Sequence, residues 1–174
     1  MRIAIIKEQK EFEKRVALTP DICKQLIGSG FQCSVESNAG MNSFFNDEAY
    51  TSVGVDVVAD KSTLLSNADV VVKVNPLTSE EVKMMKKGAV SISLMYAASN
   101  AALIDACVAQ GISAFSADAI PRISRAQKMD VLSSQANLAG YKSVIVGAYH
   151  LGKIFPMLMT AAGTIKPAKV VIMG

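Results

Sequence analysis

The densest cluster of chemically capable side chains is Pro121-Arg-Ile-Ser-Arg-Ala-Gln-Lys-Met-Asp130, followed by Val-Leu-Ser-Ser134. Arg122, Arg125, Gln127, Asp130 and Ser133 offer fixed cationic donors, an amide, a carboxylate and a hydroxyl. That set can hydrogen-bond an amide substituent on a ring and the hydroxyls of a ribose. It also suits a solvated loop in which Asp130 only caps the helix that follows. Two further cations, Arg15 in KRVALTP and Lys73 in DVVVKVNP, stand at or near strand ends, where a carboxylate ligand could be held; surface charge is the plainer reading of each. His150 is the sole histidine and falls near the end of a helical run, a position that suits a dipole-facing surface residue better than a catalyst. The sequence shows no Ser/His/Asp or Cys/His set, no metal-ligand spacing and no acid/base pair. Such a chain suits chemistry that needs no proton donor from the protein.

These residues need a scaffold, and the apolar pattern predicts one. Short runs rich in Val and Ile recur at 2–6, 32–35, 55–59, 69–74, 89–95, 113–117 and 169–173. Helical stretches lie between most of them. The run 20–27 ends at Gly28 and Gly30; Ser79, with Glu80 and Glu81 behind it, is placed to cap 82–87; Ser99 opens 100–110, closed by Gly111. Strands buried on both faces and alternating with helices predict a parallel sheet, because parallel neighbours need a crossover and the crossover is usually a helix. The expected fold class is α/β: a three-layer Rossmann-like or flavodoxin-like parallel sheet flanked by helices. From 130 to 152 the pattern becomes one long helix, about 35 Å at 1.5 Å per residue. Val131, Leu138, Tyr141, Ile145 and Ala148 form its apolar stripe. A second stripe, Ala136, Gly140, Ser143 and Gly147, is small enough for close helix packing or for a flat ligand. Residues 155–163 read as a connector. The segment 121–130 therefore follows a strand and precedes the long helix, beyond the carboxyl end of a parallel strand, where α/β folds bind ligands.

Composition narrows the classes. The 174 residues are 51% hydrophobic and 19% charged, with 18 Lys+Arg against 15 Asp+Glu for a net charge of +3, which describes an ordered domain or slightly more than one. Mixed charge and few aromatics provide neither the basic stripe nor the stacking platform of a nucleic-acid binder. Cys23, Cys33 and Cys107 are odd in number and widely spaced, as expected of buried thiols in a reducing compartment. The N-terminus lacks the apolar length of a signal peptide and no run approaches about 18 apolar residues, so a cytoplasmic chain without direct membrane insertion is expected.

The last residues, KVVIMG, have the form in which a dinucleotide-binding βαβ unit begins: a buried strand running into the first glycine, Gly174, of a phosphate-binding turn. The expected division is residues 1–125 as a Rossmann-like domain, 126–164 as loop, long helix and connector, and 165–174 as the opening strand of a second, nucleotide-binding domain. If the chain ended naturally at Gly174, a non-catalytic dimerisation or regulatory module would be the alternative.

PRISRAQKMDVLSSQANLAGYKSVI, with KRVALTP, DVVVKVNP and MTAAGTIKPAKVVIMG, resembles the NAD(H)-binding alpha subunit of proton-translocating NAD(P) transhydrogenases over essentially the whole chain, and alanine dehydrogenase more distantly. The resemblance implies hydride transfer from NADH to NADP+ held on a partner, with NAD(H) bound by this subunit and NADP(H) by the partner component. By resemblance Arg122, Asp130 and Ser133 orient the carboxamide and ring, and Gln127 contacts the ribose and helps align the neighbouring NADP nicotinamide. Gly174 begins the phosphate turn. It further implies a homodimer, NADP-binding and membrane-spanning partner subunits, and a location peripheral to the inner membrane through those partners. Alanine dehydrogenases use a histidine at the strand-end position within SLMYAAS; Tyr96 stands there in this chain. Imine chemistry needs a proton donor, whereas hydride passing between two nicotinamide rings does not.

Overall fold

A computed structural model describes residues 1–173, which form two compact units, one of residues 1–130 and one beginning at Val131. The first is built on six strands: β1 (Arg2–Ile5), β2 (Gln32–Glu36), β3 (Asp56–Val58), β4 (Val70–Val72), β5 (Val90–Ser93) and β6 (Ser113–Ser116). All pair in parallel in the order β3-β2-β1-β4-β5-β6, which is the doubly wound Rossmann order. Helices α1 (Pro20–Gly28), α2 (Asp47–Thr51), α3 (Lys61–Ser66), α4 (Ser79–Met84) and α5 (Ala101–Gln110) make the crossovers.

The period of two in β1 explains the layers. Ile3 and Ile5 point to one face, where Val35, Cys23, Tyr50 and Val55 complete a core. Ala4 and Ile6 point to the other, against Val71, Leu64, Leu65, Val82, Met85, Leu103 and Cys107. A strand that is apolar at every position can satisfy both faces only between two helical layers, so the continuous IAII run dictates a central strand. Each fully buried Val, Leu or Ile contributes roughly 1.5–3 kcal/mol.

Helix ends follow local chemistry, with two corrections. Pro20 at the first turn of α1 sacrifices no hydrogen bond, and Gly30 accepts φ +89° just after the helix. α4 is not capped by Ser79: Thr78 is the cap, its hydroxyl accepting from the Glu81 N–H while the Glu81 carboxylate accepts from the Thr78 N–H. The reciprocal pair satisfies two otherwise orphaned donors, which a lone serine at 79 could not do. Ser99 belongs to a 3-10 turn, Ala97–Ser99, and Asn100 takes the cap position of α5; Gly111, at φ +68°, ends that helix.

In the second unit α6 (Val131–His150) spans about 30 Å, and none of its residues is buried. Apolar residues lie all around it, including Val131, Leu138, Tyr141, Val144, Ile145 and Tyr149, and the stripe Ala136, Gly140, Ser143 and Gly147 is exposed too. Residues 155–163 are not a plain connector: β7 (Leu158–Thr160) and β8 (Gly163–Ile165) form an antiparallel hairpin, closed by the Thr160–Gly163 pair with Gly163 at φ +130°. The 169–173 run, expected to open a second domain as a strand, is coil, because a strand needs a hydrogen-bonded neighbour and it has none among the described residues. Gly174 lies outside the described residues.

Candidate functional site

In the order β3-β2-β1-β4-β5-β6 the winding direction reverses between β1 and β4, so a crevice is expected beyond their carboxyl ends. Carboxylates of this chain fill it. The buried Glu8 accepts from the Val74 N–H (2.6 Å), the Asn75 N–H (3.2 Å) and the Asn75 side-chain amide (2.9 Å). That amide also donates to Glu13 (2.9 Å), and Glu13 takes a two-pronged contact from the Arg15 guanidinium at 2.8 and 2.7 Å. The Arg15 hydrogen bonds hold the Glu13 carboxyl at about 2, well below its ordinary 4.5.

Lys73 corrects the reading of surface charge. Its side chain is 3% exposed and its ammonium lies 2.9 Å from Glu81, which also meets Lys61 at 3.3 Å. Burial by itself would raise the Glu81 carboxyl; the Thr78 N–H, Lys73 and Lys61 outweigh it and keep it below the usual range. Lys61 reaches on to Glu36 at 3.5 Å, which accepts from the Lys7 N–H at 2.8 Å. Both cations that could have taken a carboxylate ligand are thus held by carboxylates of the chain.

At the end of β5, Tyr96 adopts φ 47°, ψ 52°, a left-handed conformation rare for a bulky residue. Asp118 holds it there, accepting from the N–H groups of Met95 (2.7 Å) and Tyr96 (3.2 Å) and from the Ser116 hydroxyl (2.7 Å). The Asn100 amide donates to the Met95 and Tyr96 carbonyls at 2.7 and 3.3 Å. Burial pushes the Asp118 carboxyl up, but these donors prevail and keep it low.

Asp118 also starts the loop that carries the sequence-derived site. Beyond β6 the chain makes a 3-10 turn at Ala117–Ala119 and a second at Ser124–Met129, pinned by the buried Ala126. Arg122, Arg125 and Gln127 are exposed, and their side chains have no hydrogen-bond or ion-pair partner among the described residues. Asp130 is half-buried and its N–H bonds the Gln127 carbonyl at 3.3 Å. Ser133 is exposed on the first turn of α6, in the second unit. Arg122, Gln127 and Asp130 therefore share one loop at the carboxyl edge of the sheet. A guanidinium and an amide without partners, beside a carboxylate, match the donors and acceptor that a carboxamide and a ribose present.

Sequence reasoning missed Glu8, Glu13, Asn75 and Asp118, whose partners lie far away in sequence and leave no local signal. Glu81 was legible as the fourth residue of a Thr-x-x-Glu capping box. His150 is exposed, edge-on to Tyr149 with ring centroids 5.1 Å apart. The three cysteines are buried, and burial raises each thiol, Cys23 to about 12, so none is a nucleophile. No group of His, Cys, Asp or Glu among the described residues could hold a metal ion.

Comparison with known proteins places the chain. The family described as alanine dehydrogenase/PNT, N-terminal domain, matches residues 4–139, and the corresponding C-terminal domain family matches 143–174. The chain is 46% identical over its whole length to an NAD(P) transhydrogenase alpha-subunit chain of Rhodospirillum rubrum, covering 47% of that protein. It is 34% identical to the alanine dehydrogenase of Bacillus subtilis over 88% of this chain and 39% of that protein. The crystal structure of transhydrogenase from Sinorhizobium meliloti superposes with a TM-score of 0.90 at 40% identity, over 97% of this chain and 50% of that one. The chain thus spans less than half the length of the curated relatives it matches. With family, sequence and fold in agreement, the chain belongs to the alanine dehydrogenase/PNT family, as a relative of the alpha subunits of NAD(P) transhydrogenases.

Proposed function

We propose that the protein is the NAD(H)-binding component of a proton-translocating NAD(P) transhydrogenase, an oxidoreductase in which hydride passes directly from NADH to NADP+ held on a partner subunit or domain. One contrast carries this reading: the crevice cations Arg15 and Lys73 are held by Glu13 and Glu81, while Arg122 and Gln127 at the same sheet edge have no side-chain partner among the described residues. An amino-acid dehydrogenase needs a free anion seat and a proton donor; here the seats are occupied and Tyr96 stands at the histidine position. A transhydrogenase needs only a held ring.

NAD(H) supplies the hydride when bound. Arg122 and Asp130 offer a donor and an acceptor to its carboxamide, and Ser133 adds a hydroxyl from the first turn of α6. Gln127 contacts the ribose and helps align the NADP nicotinamide of the partner. Gly174 begins the phosphate turn. The rest of the catalytic work is positioning, which in well-oriented reactions lowers barriers by up to roughly 7–11 kcal/mol. In this reading residues 1–125 form the N-terminal domain, 126–164 the site loop, long helix and connector, and 165–174 the entry to the nucleotide-binding domain. Similarity to alpha subunits favours NADP-binding and membrane-spanning partners, a homodimer, and a cytoplasmic position peripheral to the inner membrane. No described helix is long and apolar enough to cross a membrane.

The test is a rate. The chain extended through its second domain is mixed with a separately prepared NADP-binding component, and NADH oxidation by NADP+ or an analogue is followed; parallel reactions receive pyruvate and ammonium instead. Turnover in the first set alone supports the proposal, and turnover in the second alone replaces it with an alanine dehydrogenase.

A further inference from the structure

Just beyond β5 the backbone takes a conformation that local preference does not supply. Tyr96 is left-handed, at φ 47°, where L side chains as bulky as tyrosine are seldom found. Such backbone persists only where its surroundings over-determine it, and it concentrates where geometry serves a function. Core packing does not account for it, since Tyr96 is 47% exposed.

Two side chains hold the peptide groups instead. The Asp118 carboxylate accepts from the Met95 N–H at 2.7 Å and the Tyr96 N–H at 3.2 Å, and the Asn100 amide donates to the two carbonyls. All four backbone polar groups of Met95 and Tyr96 are thereby engaged.

Asp118 differs from Asn100 in what it carries. It lies in the turn Ala117–Ala119, is fixed from the end of β6 by the Ser116 hydroxyl at 2.7 Å, and begins the loop of Arg122, Gln127 and Asp130. The further hydrogen bonds of residues 119–129 stay within the loop: the Ile123 N–H bonds the Pro121 carbonyl and the Ala126 N–H the Ile123 carbonyl, both at 2.9 Å. Ala126 is the one buried residue of that stretch. A buried methyl group holds the loop down without directing it, because apolar contact has no preferred direction, whereas hydrogen bonds to a neighbouring strand end set a position. Only Ala119, Ile120 and Pro121 separate Asp118 from Arg122. The proline ring fixes its own φ and keeps Ile120 extended, at φ −62° and ψ 124°, so a displacement at Asp118 is carried on to Arg122.

We propose that Asp118 is a positioning residue for hydride transfer: by bonding the end of β5 it sets where Arg122, Gln127 and Asp130 stand at the sheet edge. It acts through the loop and not on the nicotinamide ring. The inference rests on the assignment of that loop to NAD(H).

The test uses the full-length protein with its NADP-binding component and the variants Asp118→Ala and Asp118→Asn. Trypsin cuts after Arg122, Arg125 and Lys128, all exposed. Without cofactor, and below the thermal midpoint of each protein, the initial rate of cleavage at these sites is followed by mass spectrometry and rises in D118A. Hydride transfer at saturating NADH falls in D118A by on the order of tenfold or more, as expected of a reacting pair displaced by a fraction of an ångström. In a Q127A background the same change adds little, because both substitutions spoil one contact. D118N keeps one acceptor oxygen and gives intermediate values.

Parent turnover in folded D118A overturns the proposal, whatever the cleavage rate. A loss of turnover without faster cleavage also overturns it, since Asp118 would then act other than through the loop. So does a loss that multiplies in full with that of Q127A, the mark of a general structural role. If D118A does not fold, D118N is judged by the same criteria. Full turnover in both R122A and Q127A removes the assignment of the loop and the proposal with it; loss in those two beside parent turnover in D118A removes the proposal alone.

Discussion

The sheet unit and the α6–hairpin unit have similar apolar content and opposite burial. In the first, β-branched strands meet helices on both faces, and Ile5, Val35, Val71 and Leu65 are completely buried. In the second, a helix with apolar residues all around it leaves Leu138, Tyr141 and Tyr149 in solvent. The difference is one of partners, since an apolar residue contributes only when another surface excludes water from it. Ser143 illustrates the consequence, its hydroxyl turning back to the Ala139 carbonyl at 2.7 Å.

The largest expected effect lies in the first unit. Glu81→Leu strips Lys73 of its buried partner and should cost about 3–5 kcal/mol in denaturant unfolding, whereas the double variant K73M/E81L should recover some of that loss. A single-variant loss no larger than that of an exposed ion pair would mean that Lys73 reaches water. Next in size is the contrast between units. Ile5→Ala should cost roughly 2–5 kcal/mol and Leu138→Ala within about 0.5 kcal/mol, and comparable losses would show α6 to be buried in solution.

A third effect depends on pH. The Glu13 carboxyl is held at about 2 against an ordinary 4.5, so its stabilisation is complete above about 4.5 and is lost as pH falls toward 2. Glu13→Gln should flatten the acid limb of a stability-pH curve measured by denaturant midpoints while leaving carboxylates elsewhere unchanged. An unaltered limb would mean that the Arg15 clamp is not maintained.

The smallest effects on stability belong to the loop between β6 and α6. Arg122→Ala and Gln127→Ala remove exposed side chains and should move the unfolding free energy by no more than about 0.5 kcal/mol. Both should nonetheless reduce hydride transfer in the reconstituted assay, and full turnover in both variants would remove these residues from the site.

Much of the scaffold was legible because its signals are local. The IAII, CSV and VVV runs, separated by helical stretches ending at glycines, announce central parallel strands by their lack of alternation. The loop bearing Arg122, Gln127 and Asp130 could be placed between the sixth strand and the long helix by counting elements. The 158–165 hairpin escaped notice because its strands are three residues each, too short to show a period of two. The 169–173 run misled in the other direction, since its composition is that of a strand while pairing depends on a neighbour.

By itself, then, the sequence determined the alternation of strands and helices, the two apolar faces of β1 and the polar loop beyond β6, all of which depend on residues close together in the chain. Only the tertiary structure decided that Lys73 is a buried ion-pair partner and that Glu8 and Glu13 occupy the crevice. Glu8 and Asn75 are 67 residues apart and meet because β1 and β4 are neighbours at the point where the winding reverses. Burial and partnership arise from that adjacency, and no local pattern encodes which distant carboxylate will neutralise which cation.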